Sequence, residues 1–209
     1  LRKRVLRFPY SYFYKYRKFT ILKIIIFAGM FTDFKPVLKI LLRFIILYVV
    51  MVFAYQFYLN EFKNAGLDPF STWVMKQTTF VQEFLGYPSM MVPGKPEDET
   101  TWFFVNGTYT SRMVEGCNAI SIMILFLAFV FAFYKGAKTF VFVIFGLLFL
   151  HVMNVLRIAG LNIIILELPN YSKMGHDYLF PAIIYGSVVL LWLIWVKFFA
   201  LKTTENENT

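Results

Sequence analysis

Cys117 is the only cysteine in the 209-residue chain, which excludes an internal disulfide. It lies in Glu115-Gly116-Cys117-Asn118-Ala119-Ile120, at the start of a long apolar run. A thiol placed where an apolar helix meets water can act as a nucleophile when a nearby cation or base favours its thiolate. Two later segments supply such groups. One apolar run carries His151, Asn154 and Arg157, and His176 just precedes the last run. A histidine can give and take protons near neutral pH. An arginine is always cationic and can donate hydrogen bonds to a developing oxyanion or to a substrate backbone. Asn154, three residues before Arg157, shares its face on a helix and can orient it or bind substrate. Asn118, beside the thiol, is a second binding or orienting candidate.

Each residue also has a plainer reading, and residue types alone leave both open. Cys117 fits a small buried hydrophobe. Arg157 fits an interfacial anchor that snorkels to lipid phosphates. His176, in a polar stretch, fits a solvated side chain. His151, one and a half turns deeper than Arg157, reads as an interhelical hydrogen-bonding residue. Cys117, His151 and His176 lack metal-motif spacing, so no metal and no cofactor is expected. Asn106-Gly107-Thr108 and Asn170-Tyr171-Ser172 match the glycosylation sequon, a weak pattern that needs a secretory glycosylation system.

The elements that must position these groups are membrane spans. The chain is 59% hydrophobic and only 16% charged, with a mean hydropathy of +0.62. That leaves too little polar sequence for a large soluble domain. The net charge of +9 does not point to nucleic acid. Its excess lies at the amino end, with eleven Lys/Arg and one acid, Asp33, up to Arg43. This is the positive-inside pattern. Runs of roughly 20 apolar residues predict four spans, over residues 37–59, 118–134, 139–161 and 178–200. Lys135 and Lys138 mark a tight cytoplasmic turn. Both termini are then cytoplasmic, and residues 60–116 and 162–177 face outside. Within the first outer segment, apolar spacing predicts an amphipathic helix over 71–84 that can lie on the membrane surface. Asn106-Gly107 predicts a hairpin leading into Glu115-Gly116-Cys117.

The fold class expected is an all-α integral membrane protein of about four transmembrane helices, with a small extracytoplasmic helix-plus-hairpin insertion between the first and second. Residues 1–29 form a basic segment, and Met30 reads as the true start. The membrane domain covers 30–200, and 201–209 is a disordered tail. Counting about 1.5 Å per residue along the third span puts Arg157 about 27 Å from its cytoplasmic entry. Cys117, Arg157 and His176 therefore meet at one outer interface, from three separate segments.

These residues resemble the exosortase/archaeosortase family of membrane cysteine transpeptidases, in particular its compact Bacteroidetes branch. Glu115-Gly116-Cys117-Asn118-Ala119-Ile120 is similar to the family's Cys-Ser-Gly-Ile-type nucleophile motif. Asn154-Val155-Leu156-Arg157-Ile158 is similar to its Asn-x-x-Arg motif, and His176 follows before the last span. The resemblance covers residues 115–195 and departs at Asn118-Ala119, which stand in place of Ser-Gly. It implies a thiol peptidase/transpeptidase of the bacterial cell membrane, with its site on the extracytoplasmic face. Its partners would be secreted proteins bearing a C-terminal sorting motif, a transmembrane helix and a basic tail, together with membrane lipids. Cys117 would form the acyl-enzyme, His176 would protonate the leaving amine, Arg157 would stabilise the oxyanion, and an amine or water would accept the acyl group. The competing reading is a non-catalytic membrane assembly factor or transporter subunit.

Overall fold

The computed structural model describes residues 34–200. The basic segment 1–29, the expected start at Met30 and the tail 201–209 lie outside the described residues. The chain divides into two units, 1–42 and 43–209. Of the first, only residues 34–42 are described, and these are the opening turns of a helix. That helix, α1, runs Lys35–Glu61 and buries none of its residues in the described structure. A long, mostly apolar and exposed helix is what lipid accepts, since its internal hydrogen bonds satisfy the backbone; near its C-terminal end Tyr55 and Tyr58 bond to Asn118 and Asp68.

Helix α2 spans Pro69–Phe84. Asp68 caps it, accepting hydrogen bonds from the N–H groups of Phe70 and Ser71, both at 3.0 Å. Pro69 fills the first helical position, where no N–H is needed. The helix closes at Gly86, whose φ is +87°. The Gly86 and Tyr87 N–H groups donate back to Glu83 and Gln82, a Schellman ending that only a left-handed residue completes. The predicted amphipathic helix is therefore present, but its apolar residues divide. Val74 and Met75 are buried together with Ser71, Thr78 and Gln82. Trp73, Phe80 and Phe84 face outward. Val74 and Met75 pack against Val155 and Ile158 further along the chain, and the Thr78 hydroxyl donates to the Val74 carbonyl of its own helix.

Three antiparallel strands follow, β1 Ser89–Pro93, β2 Thr101–Val105 and β3 Thr108–Met113, in the order β1-β2-β3. The hairpin between β2 and β3 turns at Asn106-Gly107, with φ of +52° and +75°. Positive φ at both residues is the tight turn that matches strand twist. The sequence predicted this hairpin but not β1, so the insertion carries a sheet and the chain is not all-α.

The remaining helices are α3, Ile120–Ala132, α4, Ala137–Glu167, and α5, Phe180–Trp195. Three helical runs are long and apolar enough to cross a membrane: Lys35–Glu61, Ala137–Glu167 and Pro169–Phe199. α3 is apolar but has only 13 residues, about 20 Å at the helical rise. The expected span over 118–134 is thus cut short at both ends, by the left-handed Ala119 and by the chain leaving the helix at Phe133. The predicted loop over 162–177 is also absent. α4 continues to Glu167, and a helical run resumes at Pro169 through a 3-10 turn, Pro169–Tyr171, and a π-helical turn, Gly175–Leu179.

Two cores divide α4. Phe126 and Val130 of α3, Val143 and Leu150 of α4, and Val188, Leu191 and Trp195 of α5 form one. Val155 and Ile158, further along α4, pack with Val74, Met75, Phe103 and Met113 of the insertion to form the other, with Cys117 against it.

Candidate active site

The thiol is carried by a turn between β3 and α3. Val114 extends the strand, and Glu115–Cys117 forms a 3-10 turn. The Cys117 N–H donates to the Val114 carbonyl at 2.9 Å. Asn118 then locks the turn in place. It is 1% exposed, and its Oδ1 accepts from the Ile120 N–H at 2.9 Å. Its Nδ2 donates to Tyr55 Oη and Ser71 Oγ, each at 2.9 Å. One side chain thereby ties the Cys117 turn to α1, α2 and the start of α3. Its amide is fully engaged inside the protein, which fits orientation and leaves nothing for substrate. Between Asn118 and α3, Ala119 sits in the left-handed region at φ +63°, ψ +10°. This conformation costs a residue with a Cβ roughly 1–2 kcal/mol.

α4 supplies the opposite wall. Asn154, 1% exposed, donates from Nδ2 to the Cys117 carbonyl at 3.1 Å. Arg157, one turn further, borders two cavities. The larger is a cleft of about 500 Å³ lined by Cys117, Arg157 and His176, with β3 along one side. The smaller, about 210 Å³, is lined by Asn154, Arg157, Ser121 and Tyr185 among apolar groups. Arg157 Nε and Asn154 Oδ1 are buried without a hydrogen-bond partner among the described residues. Both atoms belong to residues that border the smaller cavity, where water or another polar group can reach them.

The third group, His176, lies in the π-helical turn Gly175–Leu179; such turns recur at functional sites. Its Nδ1 is 2.8 Å from Asp177 Oδ1. With the proton on Nδ1 donated to this carboxylate, Nε2 is left free to exchange protons. The side chain is 72% exposed, so it stands at the solvent end of the cleft. No hydrogen bond joins Cys117, Arg157 and His176 directly among those described. They line the same cleft. Asp177 is the group the sequence reasoning passed over, although it stands next to His176 in the chain.

Two further groups frame the site. Burial raises the Glu115 carboxyl above its ordinary value, and the carboxylates of Glu99 and Asp68 push it the same way. His151 makes an interhelical contact. Its Nε2 is 2.7 Å from Gln77 Oε1, and its ring stacks on Trp73 with centroids 4.6 Å apart. Among the described residues no group of three or more His, Cys, Asp or Glu side chains is arranged to hold a metal ion.

Comparison of the chain with protein-family models, with curated proteins and with solved structures gives no match.

Proposed function

We propose that the protein is a membrane-embedded cysteine protease/transpeptidase that cleaves the C-terminal sorting signal of secreted proteins and passes the product to an acceptor. The observation that carries this reading is the single cleft shared by Cys117, Arg157 and His176, three groups from three distant chain segments. It also rests on the resemblance of their motifs to the exosortase/archaeosortase family. His176 takes the thiol proton, and the Cys117 thiolate attacks the scissile carbonyl, forming a C–S bond. Arg157 donates hydrogen bonds to the oxyanion that results. Collapse breaks the C–N bond while the His176 imidazolium protonates the departing amine. Neutral His176 then deprotonates an incoming amine or water, which attacks the thioester and releases the thiolate. Four helices cross the bacterial cell membrane in this reading, α3 with help from its flanking turns, with both termini cytoplasmic and the cleft outside.

The second reading, a non-catalytic assembly factor or transporter subunit, is favoured by one feature, the absence of any hydrogen bond among the three residues. The two separate on substitution. Intact-mass analysis of secreted proteins from cells with and without the protein identifies a processed C-terminus. Cys117→Ala abolishes that product if the cleft is catalytic, and His176→Ala sharply slows its appearance, because in this mechanism the same imidazole takes the thiol proton and protonates the leaving amine before the acyl-enzyme exists. Unchanged processing by Cys117→Ala sinks the peptidase reading.

A further inference from the structure

The larger cleft has a side that the mechanism above does not use. β3 is a terminal strand of the sheet, so one row of its backbone groups has no strand partner. Side chains alternate between the faces of a strand. Ser111 and Met113 stand opposite Phe103 and Thr101, on the face that carries the buried Phe103. Arg112 and Tyr109 stand opposite Trp102 and Phe104, on the other face. Residues of both faces, Tyr109, Ser111, Arg112 and Met113, nevertheless line the cleft. Phe103 of the central strand lines the cleft too, so the cavity lies against the Phe103 face of the sheet and turns round the edge of β3 to reach Tyr109 and Arg112, beside the register shift opposite Phe103 and Phe104. The cleft continues past the extended Val114 to Gly116 and Cys117. The other terminal strand, β1, contributes nothing to it.

We propose that the free edge of β3 binds the substrate polypeptide in extended form, as a fourth strand whose scissile bond is delivered to Cys117. This rests on the peptidase reading of the cleft. Strand addition draws affinity from main-chain hydrogen bonds and leaves specificity to pockets that receive alternate side chains. The occupant is a peptide because the edge leads, within four residues of Met113, to the only thiol in the chain. An exposed edge with no such occupant is an aggregation hazard. A second copy of the chain paired on this edge would block the cleft.

The test uses the full-length protein in detergent and acetyl-capped peptide chloromethyl ketones of mixed sequence. The Cys117 thiolate displaces chloride from these probes, forming a C–S bond, and alkylation is read by intact mass. Each backbone amide is replaced in turn by an ester, which removes the N–H and keeps the shape. Strand pairing engages alternate residues, so esters at every second position should slow labelling about tenfold, and the intervening esters should not. Iodoacetamide, which has no backbone to pair, reports the intrinsic reactivity of the thiol. Equal rates for all ester and amide probes overturn strand addition and leave the nucleophile intact, and so does slowing without alternation. A Cys117 that takes up no peptide probe overturns it too. Processing that survives Cys117→Ala instead overturns the peptidase reading, whatever the probes show.

Discussion

Ala119 carries a backbone cost that nothing around it requires of an alanine. Its φ of +63° places it where glycine is at ease, and the resembled family commonly has Ser-Gly where this chain has Asn118-Ala119. The strain persists because Asn118 is held by Tyr55, Ser71 and Ile120 together. Ala119→Gly should therefore stabilise the protein by about 1 kcal/mol, part of the gain being offset by greater freedom of the unfolded chain. A rise in the midpoint of thermal unfolding in detergent checks it, and a fall shows that the alanine methyl makes packing contacts worth more than the strain. Glu115 gives the second prediction at this scale. Its carboxyl sits above the ordinary value of 4.5 through burial and the nearby Glu99 and Asp68. The folded state thus holds the proton more tightly than the unfolded chain does. Stability from this group is fully present below the ordinary value and is lost as pH rises through the raised one. Glu115→Gln removes that dependence. The variant should lose less stability than the parent as pH rises above the ordinary glutamate value of 4.5, as followed by unfolding midpoints across pH.

At the scale of elements, α3 and α4 pack closely at a glycine. Gly146 of α4 faces the ring of Phe126, which is fully buried in α3. A Cβ at residue 146 would overlap that ring. Gly146→Ala should therefore force the helices apart and cost about 1–3 kcal/mol, read as a lower unfolding midpoint. Phe126→Leu in the same chain should recover part of the loss, because a smaller partner makes room. The elements were unevenly legible in the sequence. Asn106-Gly107 marked its hairpin because turn chemistry is local. The spans were visible as apolar runs, yet their ends were not. α4 runs six residues past the predicted end at residue 161, since Asn162 and Glu167 are polar but perfectly good helix residues. β1 was hidden between Pro88 and Pro93, in a segment too short for alternation to show. The site was legible as depth along helices, which brought Cys117, Arg157 and His176 to one cleft. The partners that hold Asn118 were not legible. Tyr55 and Ser71 are 63 and 47 residues away, and no local pattern announces contacts at that separation.

At the scale of the molecule, apolar side chains are exposed along α1 and along α4 at Phe140, Val141, Ile144, Phe145 and Leu148, and the sheet, the Cys117 turn and His176 gather beside the C-terminal half of α4. α4 is about 46 Å long at the helical rise, against about 30 Å of hydrocarbon. Its C-terminal turns must therefore stand clear of the bilayer if Ala137 is at the opposite surface. In the proposed topology Lys135 and Lys138 lie at the cytoplasmic surface, as the positive-inside rule expects, and the insertion and the cleft face outward. Single cysteines introduced into Cys117→Ala protein test this directly. Glu99→Cys, beside the sheet, should react with a membrane-impermeant maleimide on intact cells. Lys138→Cys should react only after the membrane is opened. The reverse pattern would place Cys117 in the cytoplasm, where a secreted protein's C-terminal signal never presents itself after export. The proposed peptidase would then lose its substrate even with its cleft intact.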